Sequence, residues 1–167
     1  MPFTPLHIGP GILLKALLQG SFSLMVFGWA QIVMDLQPLY VIITDSRRIE
    51  LHGFSHTYLG ATLLAVLSAL SGKYLSEFGL RLLGLSTLEQ PVKIIWGIAL
   101  FSALLGTYSH VVLDSIMHSD IQPYYPFADG NYLLNIMDIE LLHQFCIYSG
   151  VAGGFIYCIV QWLTGKM

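Results

Sequence analysis

Charge is what this 167-residue chain has least of: seven lysines and arginines, ten aspartates and glutamates, 10% of the residues in all. A water-soluble domain usually carries about 25%, so this few cannot cover a surface that faces water. Cysteine is nearly absent. The two present, Cys146 and Cys158, are twelve residues apart, about 18 Å along one helix and beyond disulfide reach of each other. There is no basic cluster, and the net charge of −3 excludes a nucleic-acid footprint. The amino terminus, MPFTPLHIGPG, lacks the basic region that opens a signal peptide and reads as part of the mature protein. No internal repeat or low-complexity tract divides the chain, and residues 1–167 read as one domain.

What is there is hydrophobic, 55% of the residues. Four long stretches carry no Asp, Glu, Lys or Arg: 16–34, 54–72, 94–113 and 141–165. Each approaches the roughly 20 residues that span a hydrocarbon core about 30 Å thick. The sixteen glycines suit helices that approach closely in lipid. The expected fold is therefore all-α: a polytopic membrane helix bundle of about four long helices plus a short amino-terminal one.

Turn signals place the helices near 11–19, 22–35, 54–72, 92–118 and 138–164. Pro38 is expected to kink or end the second. The stretch 73–91, with Glu77 and Arg81 one turn apart, reads as amphipathic and interfacial. This order puts the 44–53 and 119–137 loops at one membrane edge and the 73–91 stretch at the other. From His7 to Gln19 is about 18 Å of helix, and from Ser21 to Asp35 about 21 Å. An antiparallel hairpin therefore returns His7 and Asp35 to the edge of the 44–53 loop.

All six histidines, His7, His52, His56, His110, His118 and His143, fall toward that edge, with Asp35, Asp114, Asp138 and Glu140. In GTYSHVVLDSIMHSD, residues 106–120, His110, Asp114 and His118 climb one helix side at steps of four. His52 and His56 repeat that step, and Glu140 and His143 are three apart. Such neighbours have Cβ atoms about 5–6 Å apart and can grip one ion. Imidazole and carboxylate without thiolate suit zinc first, and manganese or iron. Each element has a plainer use. His110 and Asp114 can bond each other, His143 can join helices, Asp138 can cap the last helix, and Arg47 and Arg48 can anchor at the interface. The convergence of four segments is what points to a metal site.

The stretches LHGFSHT and GTYSHVVLDSIMHSDIQPYYPF, after MPFTPLHIGPG and MDLQPLY, resemble the YdjM-type family of membrane-bound, metal-dependent hydrolases. More distantly, the order Asp, His, His-x-x-x-Asp is similar to the zinc-dependent phospholipase C and P1 nuclease group. The resemblance implies Asp35, His56, His110 and Asp114 as ligands and catalytic centre, with His7 and His52 as further ligands and His118, Glu140 and His143 at the margin. Gly53 stands where relatives often carry arginine, and the late pair Glu140-x-x-His143 runs opposite to the phospholipase order.

The expected function is thus metal-dependent hydrolysis at a dinuclear His/Asp site on one membrane edge, acting on a lipid or lipid-linked phosphoester. The partners would be the lipid bilayer and a lipid-phosphate substrate. The alternatives are a haem-binding protein and a metal or proton transporter. Lys73, Arg81, Lys93 and Lys166 oppose Arg47 and Arg48 across the membrane. The positive-inside rule then puts the site on the extracytoplasmic side of a bacterial inner membrane. The loop DIQPYYPFADGNY, rich in tyrosine and proline, is placed to cover the site or to anchor in the interface.

Overall fold

The computed structural model describes residues 5–45, 51–87 and 89–165. Arg47, Arg48 and Lys166 lie outside the described residues. The helices are α1 (Ile8–Leu18), α2 (Leu24–Met34), α3 (Leu36–Thr44), α4 (Tyr58–Leu82), α5 (Trp96–Met117) and α6 (Ile139–Leu163), with single 3₁₀ turns at Pro5–His7, Gln19–Ser21 and Phe54–His56. No strand occurs among the described residues. Taking α2 and α3 together, four spans are long and apolar enough to cross a membrane: Leu24–Thr44, Tyr58–Leu82, Trp96–Met117 and Ile139–Leu163. Their outward faces carry exposed leucines and aromatics such as Leu63, Leu67, Leu70, Phe155 and Trp162. Apolar surface on this scale suits hydrocarbon rather than water.

The bundle is held by small residues. α2, α4 and α5 meet through Val26, Ala30, Ala65, Ala69, Ala99 and Ala103, all buried. In lipid there is no hydrophobic drive between helices, so close backbone approach supplies the packing. α1 lies against α6. A Cβ on Gly9 would stand 1.9 Å from the Cys146 carbonyl oxygen, and one on Gly153 would stand 2.5 Å from the Leu13 nitrogen. Lys15 Nζ donates to the carbonyls of Gln19 (2.6 Å) and Phe22 (2.9 Å), closing the turn that reverses α1 into α2. This hairpin brings His7 and Asp35 to the same end, as the helix lengths required.

Several boundaries differ from expectation, and three bear on how the chain turns. α4 does not stop near residue 72. It runs on to Leu82, so the supposed interfacial stretch is largely the last turns of a spanning helix. Glu77 pairs there with Lys73, and its Oε1 accepts the Ile94 N–H at 2.8 Å, tying the returning chain to α4. α5 begins at Trp96 rather than 92. The break in the first span lies at Asp35, three residues before Pro38. Proline has no N–H to give the Met34 carbonyl, so the ladder fails there, and Pro38 sits in the first turn of α3, where it is tolerated.

Candidate metal centre

Asp35 stands at the α2–α3 break, His110 and Asp114 on the last turns of α5, and His118 at its end. His7 ends the turn before α1, and His56 ends the turn before α4. His52 and His56 are therefore both on the irregular entry segment, since α4 starts at Tyr58 rather than near residue 54. Thr57 explains why the helix waits. Its side-chain oxygen caps α4 by accepting the Gly60 N–H at 2.9 Å.

These residues converge. His110 Nε2 lies 3.1 Å from Asp114 Oδ2 and 3.5 Å from Asp35 Oδ1. His56 Nε2 is 3.4 Å from Asp114 Oδ2, and His7 Nε2 is 3.6 Å from Asp114 Oδ1. The rings of His52 and His118 stack with centroids 4.3 Å apart, and His52 meets His56 edge-on at 4.9 Å. Every one of these histidines except His118 is buried. Neither Asp35 nor Asp114 is paired with lysine or arginine among the described residues.

The hydrogen bonds around the cluster determine which imidazole nitrogen carries the proton. Ser109 donates its hydroxyl to the Gly106 carbonyl at 3.0 Å, so its oxygen must accept from Gln31 Nε2 at 3.1 Å. That orients the Gln31 amide with Oε1 toward His110 Nδ1, 2.7 Å away. An amide oxygen only accepts, so His110 Nδ1 carries a proton, and in the neutral ring Nε2 then keeps the lone pair. The same logic holds at His56. Ser55 donates to Gln37 Oε1 at 2.6 Å and accepts from His56 Nδ1 at 2.9 Å. At His52, Nδ1 faces both carboxylate oxygens of Asp120, at 2.9 and 3.1 Å. Three histidines from two segments thus hold their Nδ1 protons outward. The Nε2 atoms of His56, His110 and His118 and both ring nitrogens of His7 are buried without a hydrogen-bond partner.

Burial pushes His7 down to about pKa 4. It also lowers His56, His118 and His52, in the last case against the raising influence of Asp120. All four are neutral near pH 7, the form in which imidazole binds metal.

Three groups bring one ligand atom from each member within 4.8 Å of the others: His7, His110 and Asp114; Asp35, His56 and His110; His52, Asp114 and His118. The first two compete for His110 Nε2. The last two share no residue, so both triads can form at once, with the buried Asp114 carboxylate in one and beside the other. Glu140 is exposed and bonds Gln144, and neither it nor His143 joins these groups. Asp138 takes the cap position of α6, but its side chain makes no capping bond. Gln31, Ser55 and Asp120 are the participants that the residue pattern did not single out.

Comparison with protein-family models, with curated proteins and with solved structures gives no match. Fold and site together define a class: an all-helical protein with four helices able to span a membrane and a buried histidine–carboxylate cluster at one end of the bundle.

Proposed function

We infer that this chain is an integral membrane, metal-dependent hydrolase with a dinuclear centre, zinc before manganese or iron, and a lipid or lipid-linked phosphoester as substrate. One observation carries the reading. Gln31, Ser55 and Asp120 each take the Nδ1 proton of a histidine and leave its Nε2 lone pair for the cluster. That is the outer-shell arrangement by which proteins orient metal-binding imidazoles. It also accounts for the unpartnered buried nitrogens, which would otherwise cost about 1–3 kcal/mol each. The donor set of nitrogen and carboxylate oxygen without sulfur fits zinc, with three protein ligands per ion as in catalytic sites.

Asp35, His56 and His110 would hold one ion, and His52, His118 and Asp114 the other, with His7 beside Asp114. Divalent ions so held supply Lewis-acid activation of water and neutralise charge on the group being cleaved. The protein's own residues do the rest. Asp35 and Asp114 provide the negative charge that a divalent pair offsets. Gln31 and Ser55 hold rings that are themselves buried. Asp120, whose side chain is 45% exposed, fixes His52 where the centre meets a polar cleft of about 320 Å³. That cleft, between His52, Thr57, Asp120 and Gln122, gives a substrate its way in.

Similarity of the LHGFSHT and His-x-x-x-Asp stretches to the YdjM-type family supports the same class. A haem is disfavoured by the geometry. His56 and His110 rings lie 5.3 Å apart, and His7 and His110 5.0 Å apart, which leaves no gap for a macrocycle. An extracytoplasmic site is supported by the charge bias of the loops. The test is hydrolysis of bis(p-nitrophenyl) phosphate by zinc-loaded protein in detergent. Turnover that Asp114→Asn and chelation both abolish is the expected result. A metal-loaded, folded protein without turnover on phosphomonoesters, phosphodiesters or phospholipids would sink the enzymatic reading.

A further inference from the structure

A second cleft, of about 480 Å³, lies beside the polar one. Tyr58, Thr62 and Tyr108 of the spanning helices α4 and α5 form one wall, and Tyr124, Phe127 and Tyr132 of the following loop form the other. Tyr125 lines both clefts. The rings make a continuous apolar strip: Tyr58 is 5.5 Å from Tyr108 and from Tyr124, and Tyr124 is 6.1 Å from Tyr132. The volume is that of a ligand pocket rather than a packing defect.

We propose that this groove binds the single hydrocarbon chain of a membrane lipid whose phosphate reaches the histidine–carboxylate centre through the polar cleft. The proposal rests on the metal reading for its phosphate end. Four features select a lipid chain as occupant. The groove opens between helices long enough to span the bilayer, so a chain enters without crossing water. The Tyr108 hydroxyl is already bonded to Thr62 Oγ1 at 2.8 Å, so these two groups make no demand on an occupant. A peptide would bring a full set of backbone donors and acceptors to walls that offer only a few tyrosine hydroxyls, whereas a hydrocarbon brings none. Among the described residues no lysine or arginine lines either cleft, and an anionic head has the metal centre as its holding point. The loop is also fixed in advance. Tyr58 N–H donates to the Pro123 carbonyl at 2.9 Å and holds the loop to the start of α4. A preformed groove loses less on binding than one that must be ordered.

The test is photolabelling of full-length protein in lipid nanodiscs with hexadecyl phosphate bearing a mid-chain diazirine, alongside the corresponding phosphate-free alcohol. Both probes are expected to mark peptides containing Tyr58–Thr62 and Tyr124–Tyr132 in preference to the lipid-facing residues of α6. Thr62→Trp, which fills the groove, should reduce this labelling by about tenfold, the loss expected when roughly two methylenes lose their burial. Leu59→Trp serves where Thr62→Trp does not fold, and an unchanged thermal midpoint reports the fold. Chelation should reduce labelling by the phosphate probe alone, while inorganic phosphate should leave labelling by the alcohol unchanged. Labelling spread evenly over the apolar surface, or unaffected by both fillings, overturns the groove and leaves the metal centre standing. Groove labelling by the phosphate probe that chelation does not alter overturns the link between chain and centre.

Discussion

Replacing Gln31 by Met keeps the length of the side chain and removes its amide. Gln31 is 5% exposed and His110 1% exposed, so no water can take over the His110 Nδ1 proton. The bond lost is the 2.7 Å contact to Oε1. Leaving a buried donor unpaired costs about 1–3 kcal/mol of stability. If His110 turns to find another acceptor, Nε2 leaves the cluster. Losing an outer-shell partner of a ligating histidine typically weakens metal binding about 10- to 100-fold. Competition against a chromophoric chelator in detergent measures this directly, and thermal unfolding of the metal-free protein separates it from the cost to the fold. Gln31→Glu keeps an acceptor facing Nδ1 and should stay within about tenfold of wild type. A folded Gln31→Met protein with wild-type zinc affinity would refute the assignment of the His110 proton and, with it, the ligand role of Nε2.

Asp120→Ala should likewise weaken zinc binding about 10- to 100-fold by releasing His52, while barely changing the thermal midpoint, since Asp120 is partly exposed; equal affinity would make the pair a surface contact only. Gly9→Ala places a methyl 1.9 Å from the Cys146 carbonyl, forces α1 from α6 and should cost about 1–3 kcal/mol, whereas Gly154→Ala meets no atom within 4 Å and should not. Thermal unfolding of the two variants side by side checks this, and equal midpoints would contradict the packing. For His7, with a folded pKa of about 4 against 6.5, the neutral ring is the favoured form. Metal-free stability is then full above pH 6.5 and falls as pH drops toward 4, because only the unfolded chain takes up the proton. About 2.5 units at 1.36 kcal/mol each give a loss of roughly 3 kcal/mol. In a pH series of unfolding midpoints His7→Gln should lose correspondingly less, and a parallel decline would count against it.

The spans were legible because charge is so costly in lipid that its gaps mark the helices. The meeting of His7 with Asp35 was legible because helical rise turns residue counts into heights. What escaped was local. Nothing in residues 73–82 breaks a helix, so an amphipathic pattern there did not mean a separate element. His52 and His56 are neighbours as their spacing implied, but Thr57 delays the start of α4, so they meet on an irregular segment rather than at a helix start near 54. Gln31 lies 79 residues from His110 and carries no charge, so no pattern joined them. One signal was present: it sits four residues before Asp35, on the same helix face. Asp120 lies two residues beyond His118 inside the same quoted stretch, but only the fold of the loop shows that it answers His52. Glu140 and His143 have ligand-like spacing, yet α6 packs on α1 and leaves Glu140 exposed.

Elemental analysis of the protein purified in detergent and dialysed against trace zinc tests the centre most directly. Two disjoint triads, Asp35 with His56 and His110, and His52 with Asp114 and His118, would hold two zinc ions per chain. Asp114→Asn and His110→Ala should each release at least one. Zinc well below one per chain in the wild-type protein, or two retained in both variants, would contradict a metal centre built from these residues.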